Sequence, residues 1–250
     1  MTDIMNPFSL NGKRILITGA SSGIGRGIAI ACSCMGASVI LIGRNEVRLK
    51  ETCSKLQETD NCFYSCDPTS PKAVEGMVEQ LPALDGIVHC AGVGQRIPAK
   101  MLTAEDIDNV MNVNFKAPVM LQKELLRQKK VNRKASIVFI ASIASWSPSK
   151  GNSIYSASKG AIISYAKCLS LELAPRLIRV NTISPAMVWT DLIINGGVDE
   201  EMLKEDEQLY PLKRYGTPED IGNLAVYLLS DASAWMTGSD ISITGGGKLS

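Results

Sequence analysis

The chain has 250 residues, with 26 Lys and Arg against 25 Asp and Glu, a formal net charge of +1 and 45% hydrophobic residues. That length suits one large domain or two small ones, and a near-neutral charge with scattered cations excludes the basic footprint of a nucleic-acid-binding protein. No apolar run reaches the roughly 18 residues of a membrane span, and no signal-peptide pattern opens the chain, so no membrane association and a cytoplasmic location are expected. One histidine is too few for the usual zinc sites, so no catalytic metal is expected. Seven cysteines, an odd number without a C-x-x-C pair, read as buried thiols in a reducing compartment.

In chain order, the first element is the β-branched run Arg14-Ile15-Leu16-Ile17. Thr18-Gly19-Ala20-Ser21-Ser22-Gly23-Ile24-Gly25 follows, and then the helical pattern Gly27-Ile28-Ala29-Ile30-Ala31-Cys32. Strand, glycine turn and helix are the context of a dinucleotide site. One glycine makes the tight turn, another admits the pyrophosphate close to the backbone, and a third lets helix pack on strand. The helix N-terminus presents unpaired N–H groups to the phosphates. Further strands are predicted near 38–42, 62–66, 86–90, 136–141, 178–184 and 240–244, after the first at 14–18. Helices are predicted near 23–36, 45–58, 71–80, 104–130, 153–174, 200–208 and 218–230. This alternation predicts an α/β fold, a doubly wound parallel sheet with helices on both faces. Crossovers should be right-handed, with ligands at the carboxyl ends of the strands. No Pro/Gly/Ser-rich linker, repeat or charge block divides the chain, so residues 1–250 are expected to form a single Rossmann-type domain.

The stretch 153–174 carries Tyr155 and Lys159, four apart and therefore on one helix face. A free Tyr titrates near 10, and a nearby cation favours its phenolate. The pair is then suited to protonate a carbonyl oxygen or to deprotonate an alcohol. Ser142 ends the apolar run Ile137-Val138-Phe139-Ile140-Ala141, and its hydroxyl is placed to hold the substrate oxygen. The competing reading is an exposed i, i+4 pair.

Taken with the glycine turn, these motifs resemble the classical short-chain dehydrogenase/reductase family over nearly the whole length. Asn114 in Val113-Asn114-Phe115, Ser142, Tyr155 and Lys159 match its catalytic tetrad. Ile178-Arg179-Val180-Asn181-Thr182-Ile183-Ser184-Pro185 looks like the segment bordering the nicotinamide. Pro211-Leu212-Lys213-Arg214-Tyr215-Gly216-Thr217-Pro218-Glu219-Asp220, with Thr237-Gly238 and Gly245-Gly246, resembles the C-terminal part of 3-oxoacyl-carrier-protein reductases. The resemblance implies seven strands, Tyr155 and Lys159 on the helix after strand five, and a homotetramer. In the tetramer, helix pairs 104–130 and 153–174 pack across one two-fold axis. It also implies a basic surface for an acidic carrier near Arg127, Lys129, Lys130, Arg133 and Lys134, which otherwise reads as a solvated helix end and loop.

Several positions bear on the cofactor. Gly19, Ser21, Ser22, Gly23, Ile24 and Gly25 form the phosphate turn. An acid after the second strand would favour NAD; here Gly43 stands in its place and Arg44 follows, suited to the 2′-phosphate of NADP. NADP(H) is therefore the expected cofactor, with NAD(H) still admissible. By resemblance, Asp67 accepts from the adenine amino group. The next residue is Pro68, with no N–H for the adenine ring. The family's Asn-Asn-Ala-Gly reads His89-Cys90-Ala91-Gly92. Ala91 and Gly92 still admit the cofactor, Cys90 replaces a bracing amide, and His89 reads as structural. Pro185 is followed by Ala186 in place of the family's usual Gly, acceptable only at negative φ. Val188 and Thr190 are expected at the nicotinamide carboxamide, Lys159 at the ribose, and Asn114 at a water feeding protons through Lys159.

The expected activity is NADP(H)-dependent reduction of a ketone or 3-oxoacyl thioester. The alternatives are an NAD-dependent alcohol or hydroxysteroid dehydrogenase, and a binding or regulatory protein without turnover. A mobile lid is expected over about 188–215, with Gly196 and Gly197 as flexible points and Leu192, Ile193, Ile194, Met202 and Leu203 as apolar lining.

Overall fold

The computed structural model describes residues 6–194 and 199–247. Seven strands form one parallel sheet: β1 (Arg14–Thr18), β2 (Ser38–Gly43), β3 (Cys62–Ser65), β4 (Leu84–His89), β5 (Val131–Ile140), β6 (Arg179–Pro185) and β7 (Asp240–Ile243). Their order is β3-β2-β1-β4-β5-β6-β7. The chain winds outward from β1 through β3, then returns to place β4 beside β1. That reversal opens a crevice at the carboxyl ends of β1 and β4, where ligands bind in sheets of this kind.

The helices are α1 (Gly23–Cys34), α2 (Glu46–Cys53), α3 (Pro71–Gln80), α4 (Ala104–Met111), α5 (Ala117–Arg127), α6 (Ser153–Leu173), α7 (Asp191–Ile194), α8 (Glu200–Gln208) and α9 (Pro218–Leu229). Alternate strand residues feed two cores, as the period of two requires. Leu16, Ile87, Ile137, Phe139 and Val180 face α3, α5 and α6 through Val78, Leu121, Leu125 and Ile162. Ile15, Ile17, Val39, Val88 and Val138 face α1 and α9 through Ile28, Ala29, Ile221 and Ala225. The α1–α9 crossing is close because both helices bring glycine to it. A Cβ on Gly27 would lie 2.5 Å from Pro218 Cβ, and one on Gly222 would lie 2.9 Å from Ala31 Cβ.

Three boundaries differ from the sequence expectation. The helix expected at 45–58 is shorter: Asn45 caps it by accepting from Arg48 N, and Gln57 N is drawn away to Ser33 Oγ. The helix expected at 104–130 is interrupted by a π-turn over Asn112–Lys116. Ala117 N–H bonds the Asn112 carbonyl five residues back, and Pro118 has no N–H to offer the Asn114 carbonyl. Strand β5 begins at Val131, five residues early, because Leu84 pairs with Val131 ahead of an irregularity in the ladder. The polar Asn132-Arg133-Lys134 hides that extension in the sequence, and Lys134 adopts φ +65°.

Candidate active site

The glycine turn lies across the β1–β4 crevice. Gly19 has φ +67°, and a Cβ there would lie 2.9 Å from Ala91 Cα and N. Thr18 Oγ1 accepts from the N–H groups of Cys90 and Ala91, at 3.0 and 3.1 Å, and so joins the two strand ends. A Cβ on Gly25 would fall inside contact distance of the Gly19 carbonyl oxygen, so helix α1 can start this close to β1 only with glycine. Gly23 has φ +50° and faces the Thr190 methyl, 3.2 Å from where its Cβ would stand. Ile24 packs against the α1–α9 core. Ser22 is the N-cap of α1, but its side chain makes no cap bond and no acid occupies the first turn. The Ser21 carbonyl is held by Arg26 Nη2 at 2.6 Å. These features leave the α1 amides facing a side-chain-free cradle, which fits an anionic diphosphate.

At the end of β2, Gly43 is buried and its Cβ position lies 3.6 Å from Ser21 Cβ. Arg44 is exposed and makes no ion pair among the described residues. Asp67 Oδ1 accepts from Thr69 N and Oγ1 at 3.0 and 2.8 Å. Those bonds, with a smaller pull from Arg44, hold the Asp67 carboxyl below the usual range against desolvation. Cys90 lies between the cradle and Lys159; burial pushes its thiol up to about 12, against the pull of the Lys159 ammonium. Ala186 is not among the residues with positive φ, so its methyl is accommodated.

Asn114, Ser142, Tyr155 and Lys159 converge on the carboxyl ends of β4 and β5. Lys159 is only 5% exposed, and its Nζ donates to the Ile140 carbonyl at 2.8 Å. The same Nζ stands 5.7 Å from the Tyr155 ring centroid. A Cβ on Gly92 would lie 3.3 Å from Asn114 Oδ1 and 3.5 Å from Lys159 Nζ, so the glycine is the gap through which these groups meet the crevice. Asn114 is buried in the π-turn; Oδ1 accepts from Val93 N at 2.8 Å, and Nδ2 donates to Val93 O and Ser158 Oγ. Ser142 follows β5 in an extended conformation, with its Oγ accepting from Ala144 N at 3.2 Å. This placement disposes of the exposed-pair reading, because a solvated pair would leave Lys159 in water. A buried ammonium is costly unless bonded, and here one of its three protons is committed to backbone.

The segment after β6 leaves the sheet at Pro185, which pairs with Ile243. Val188 bridges to Gly216, and Trp189 N donates to Gly216 O at 2.9 Å. Helix α8 is latched over this segment: Trp189 Nε1 donates to Glu207 Oε2 at 2.8 Å, and Tyr215 Oη to Asp206 Oδ2 at 2.7 Å. The expected apolar lining is revised here. Leu203 belongs to a small core with Tyr210 and Tyr215, and Ile193 packs against it, whereas Ile194 and Met202 are exposed. Gly196, Gly197 and the Leu192 side chain lie outside the described residues.

A family model described as "Enoyl-(Acyl carrier protein) reductase" matches residues 19–248. The chain belongs to the short-chain dehydrogenase/reductase family. The 3-oxoacyl-[acyl-carrier-protein] reductase FabG of Rickettsia felis is 35% identical over 237 residues, 95% of this chain and 97% of the relative. An L-xylulose reductase of Caenorhabditis elegans is 33% identical over 247 residues, covering 96% and 97%. The crystal structure of a dehydrogenase/reductase from Sinorhizobium meliloti superposes with a TM-score of 0.89 at 31% identity, covering 97% and 98%.

Within this short-chain dehydrogenase/reductase, several residues that were not among the expected site residues carry the geometry. Thr18 braces the crevice, Ser158 ties Asn114 to the Tyr155 carbonyl, and Trp189 is held by Glu207. Ser158 was legible as the buried-face neighbour of Lys159; the Trp189–Glu207 and Thr18 bonds had no local signal. The basic stretch is spent internally at two of its five cations, while Lys129, Arg133 and Lys134 are exposed. Arg127 pairs with Glu124 and Glu75, and Lys130 Nζ donates to the carbonyls of Glu79 and Leu81. The stretch runs from the end of α5 into the start of β5, at the opposite strand end from Ser142. Only Cys32 and Cys66 meet the buried expectation; Cys53, Cys62 and Cys90 are half-buried, and Cys34 and Cys168 are exposed free thiols. Among the described residues no cluster of His, Cys, Asp and Glu is arranged for a metal, and no helix is long and apolar enough to cross a membrane.

Proposed function

We propose that the protein is an NADP(H)-dependent carbonyl reductase, folded as one domain, acting on an apolar ketone or a 3-oxoacyl thioester. The observation that carries this reading is the buried Lys159, bonded to the Ile140 carbonyl and set against the Tyr155 ring. When bound, the nicotinamide supplies the hydride, and the protein controls orientation and the proton. Ser142 holds the carbonyl oxygen by a hydrogen bond. Tyr155 gives its hydroxyl proton to that oxygen as charge develops there. The Lys159 ammonium stabilises the negative charge left on the Tyr155 oxygen, and its remaining protons bond the ribose. Asn114, whose backbone carbonyl receives no N–H from Pro118, holds the water that returns a proton through Lys159. Gly19, Ser21, Ser22, Gly23, Ile24 and Gly25 receive the diphosphate and Arg44 the 2′-phosphate. Asp67, Cys90, Ala91 and Gly92 border the adenosine, and Pro185, Val188 and Thr190 the nicotinamide.

A 3-oxoacyl-carrier reductase and an L-xylulose reductase among the relatives support a carbonyl substrate. A cytoplasmic homotetramer is part of the proposal, supported by the unpartnered apolar side chains of Leu171 on α6 and Trp235 before β7. Steady-state loss of NADPH absorbance with 3-oxoacyl thioesters, free ketones and quinones tests the reaction. Tight NADPH binding without turnover on any of them would favour a binding protein, and turnover with NADH alone would favour the NAD-dependent dehydrogenase. A light-scattering mass of 26.9 kDa at micromolar concentration would remove the tetramer.

A further inference from the structure

The one histidine is buried beside the crevice and takes no part in the proposed proton transfer. His89 ends β4, is 4% exposed, and stacks on its β5 neighbour Phe139 with ring centroids 4.5 Å apart. Its Nε2 lies 3.0 Å from Gln122 Oε1; with that oxygen as the acceptor, Nε2 carries the proton and Nδ1 presents a lone pair. Nδ1 is enclosed and has no hydrogen-bond partner among the described residues. Thr18 stands next to His89 in the ladder, one step beyond the Ile17–Val88 pair, and so shares its sheet face. The Thr18 oxygen already accepts two N–H groups, from Cys90 and Ala91. Its own O–H donates in none of the hydrogen bonds among the described residues. Both residues line one small pocket with about 10 Å³ of room for a water-sized sphere, walled otherwise by Pro68, Ala91, Val113, Ala117, Pro118 and Leu121. That is about the space one water needs, and within the largely apolar wall His89 Nδ1 and the Thr18 hydroxyl are the groups that would bond it.

We infer that this cavity is a specific internal water site, in which a water accepts from the Thr18 hydroxyl and donates to His89 Nδ1. His89 is thereby a positioning residue for the Cys90–Ala91 backbone at the cofactor crevice. A donor and an acceptor otherwise left unmade in low dielectric are both satisfied by one molecule. Donation by Thr18 also polarises its oxygen, which strengthens its hold on the two N–H groups. Their position has little slack, because the Ala91 backbone already limits Gly19 to glycine. The water site is independent of the proposed reduction, whereas the effect on cofactor affinity rests on it, and the experiment reads the two separately.

With one histidine, the uniformly 15N-labelled full chain gives a single imidazole spin system. At neutral pH we expect the Nε2–H tautomer, with the Nδ1 resonance displaced from that of a free acceptor nitrogen. Thr18→Val, which keeps the shape and removes the hydroxyl, should move Nδ1 to the free-acceptor position and leave Nε2–H in place. An Nδ1–H tautomer, a free-acceptor Nδ1 in the parent, or an Nδ1 signal indifferent to Thr18→Val would overturn the water site. NADPH titration then tests positioning. His89→Leu should raise the Kd roughly fivefold, and His89→Asn, which retains a polar atom for the water, should recover most of the loss. Equal dissociation constants for both variants and the parent would overturn the positioning role while the resonance result stands. A parent protein that fails to bind NADPH would instead count against the proposed function. Should His89→Leu not fold, the parent and Thr18→Val spectra still decide the site.

Discussion

Acidification should destabilise this enzyme through one residue, His89, before its carboxylates titrate. Burial pulls the imidazole down from its ordinary 6.5 to about 4, and the bond to Gln122 only partly opposes this. The unfolded chain therefore takes up a proton between those two values and the folded chain does not. Stability from this residue is full above pH 6.5, falls as the pH drops through that window, and levels out below 4. Each pH unit is worth about 1.4 kcal/mol, so the whole interval amounts to about 3 kcal/mol. Typical stabilities are only about 5–15 kcal/mol, so the loss is measurable. Asp67, Asp106, Glu124 and Asp220 have lowered values, and the stabilisation they contribute disappears at more acid pH. Comparison with His89→Asn removes their common contribution. Urea unfolding followed by tryptophan fluorescence, at fixed protomer concentration from pH 7.5 to 4.5, reads the difference. The stability gap should shift towards the variant by about 2.5 kcal/mol between pH 7.5 and 4.5. Parallel curves for the two proteins would refute a neutral buried imidazole.

Four further outcomes are expected. Tyr155→Phe should remove most carbonyl reduction and leave NADPH affinity near the parent's in a fluorescence titration; near-parental turnover would take Tyr155 out of proton transfer. Lys159→Met should weaken NADPH by about 10- to 150-fold and slow turnover, the worth of one charge-assisted bond, and an unchanged Kd by calorimetry would contradict a ribose contact. Arg44→Ala should weaken NADPH by about tenfold, the low end for such a contact because the side chain is exposed, and barely change NADH. Equal losses for both cofactors would mean Arg44 serves its loop. Gly25→Ala should cost about 1–3 kcal/mol, because its Cβ meets the Gly19 carbonyl. Gly76→Ala, in α3 with open space around it, should instead gain about 0.5–1 kcal/mol, and thermal melts of the same sign for both would contradict this account of the turn.

The sequence by itself determined the alternation of strands and helices, because buried parallel strands and amphipathic helices write their periods into the chain. It also determined the glycine turn, since only glycine survives at Gly19 and Gly25 where backbone meets backbone. The family followed from ordered motifs spread over most of the length. Local pattern did not reach the π-turn at Asn112–Lys116, where a missing N–H at Pro118 acts on a carbonyl one helical turn earlier. Nor did it reach the early start of β5, whose pairing with Leu84 is set by the neighbouring strand. The burial of Lys159 against Ile140, the Thr18 brace across 72 residues and the enclosure of His89 by Phe139 and Gln122 were decided only by tertiary structure. The physical reason is common to all three. Desolvation and hydrogen-bond satisfaction depend on what packs around a polar group, and those neighbours come from strands and helices far away in the chain.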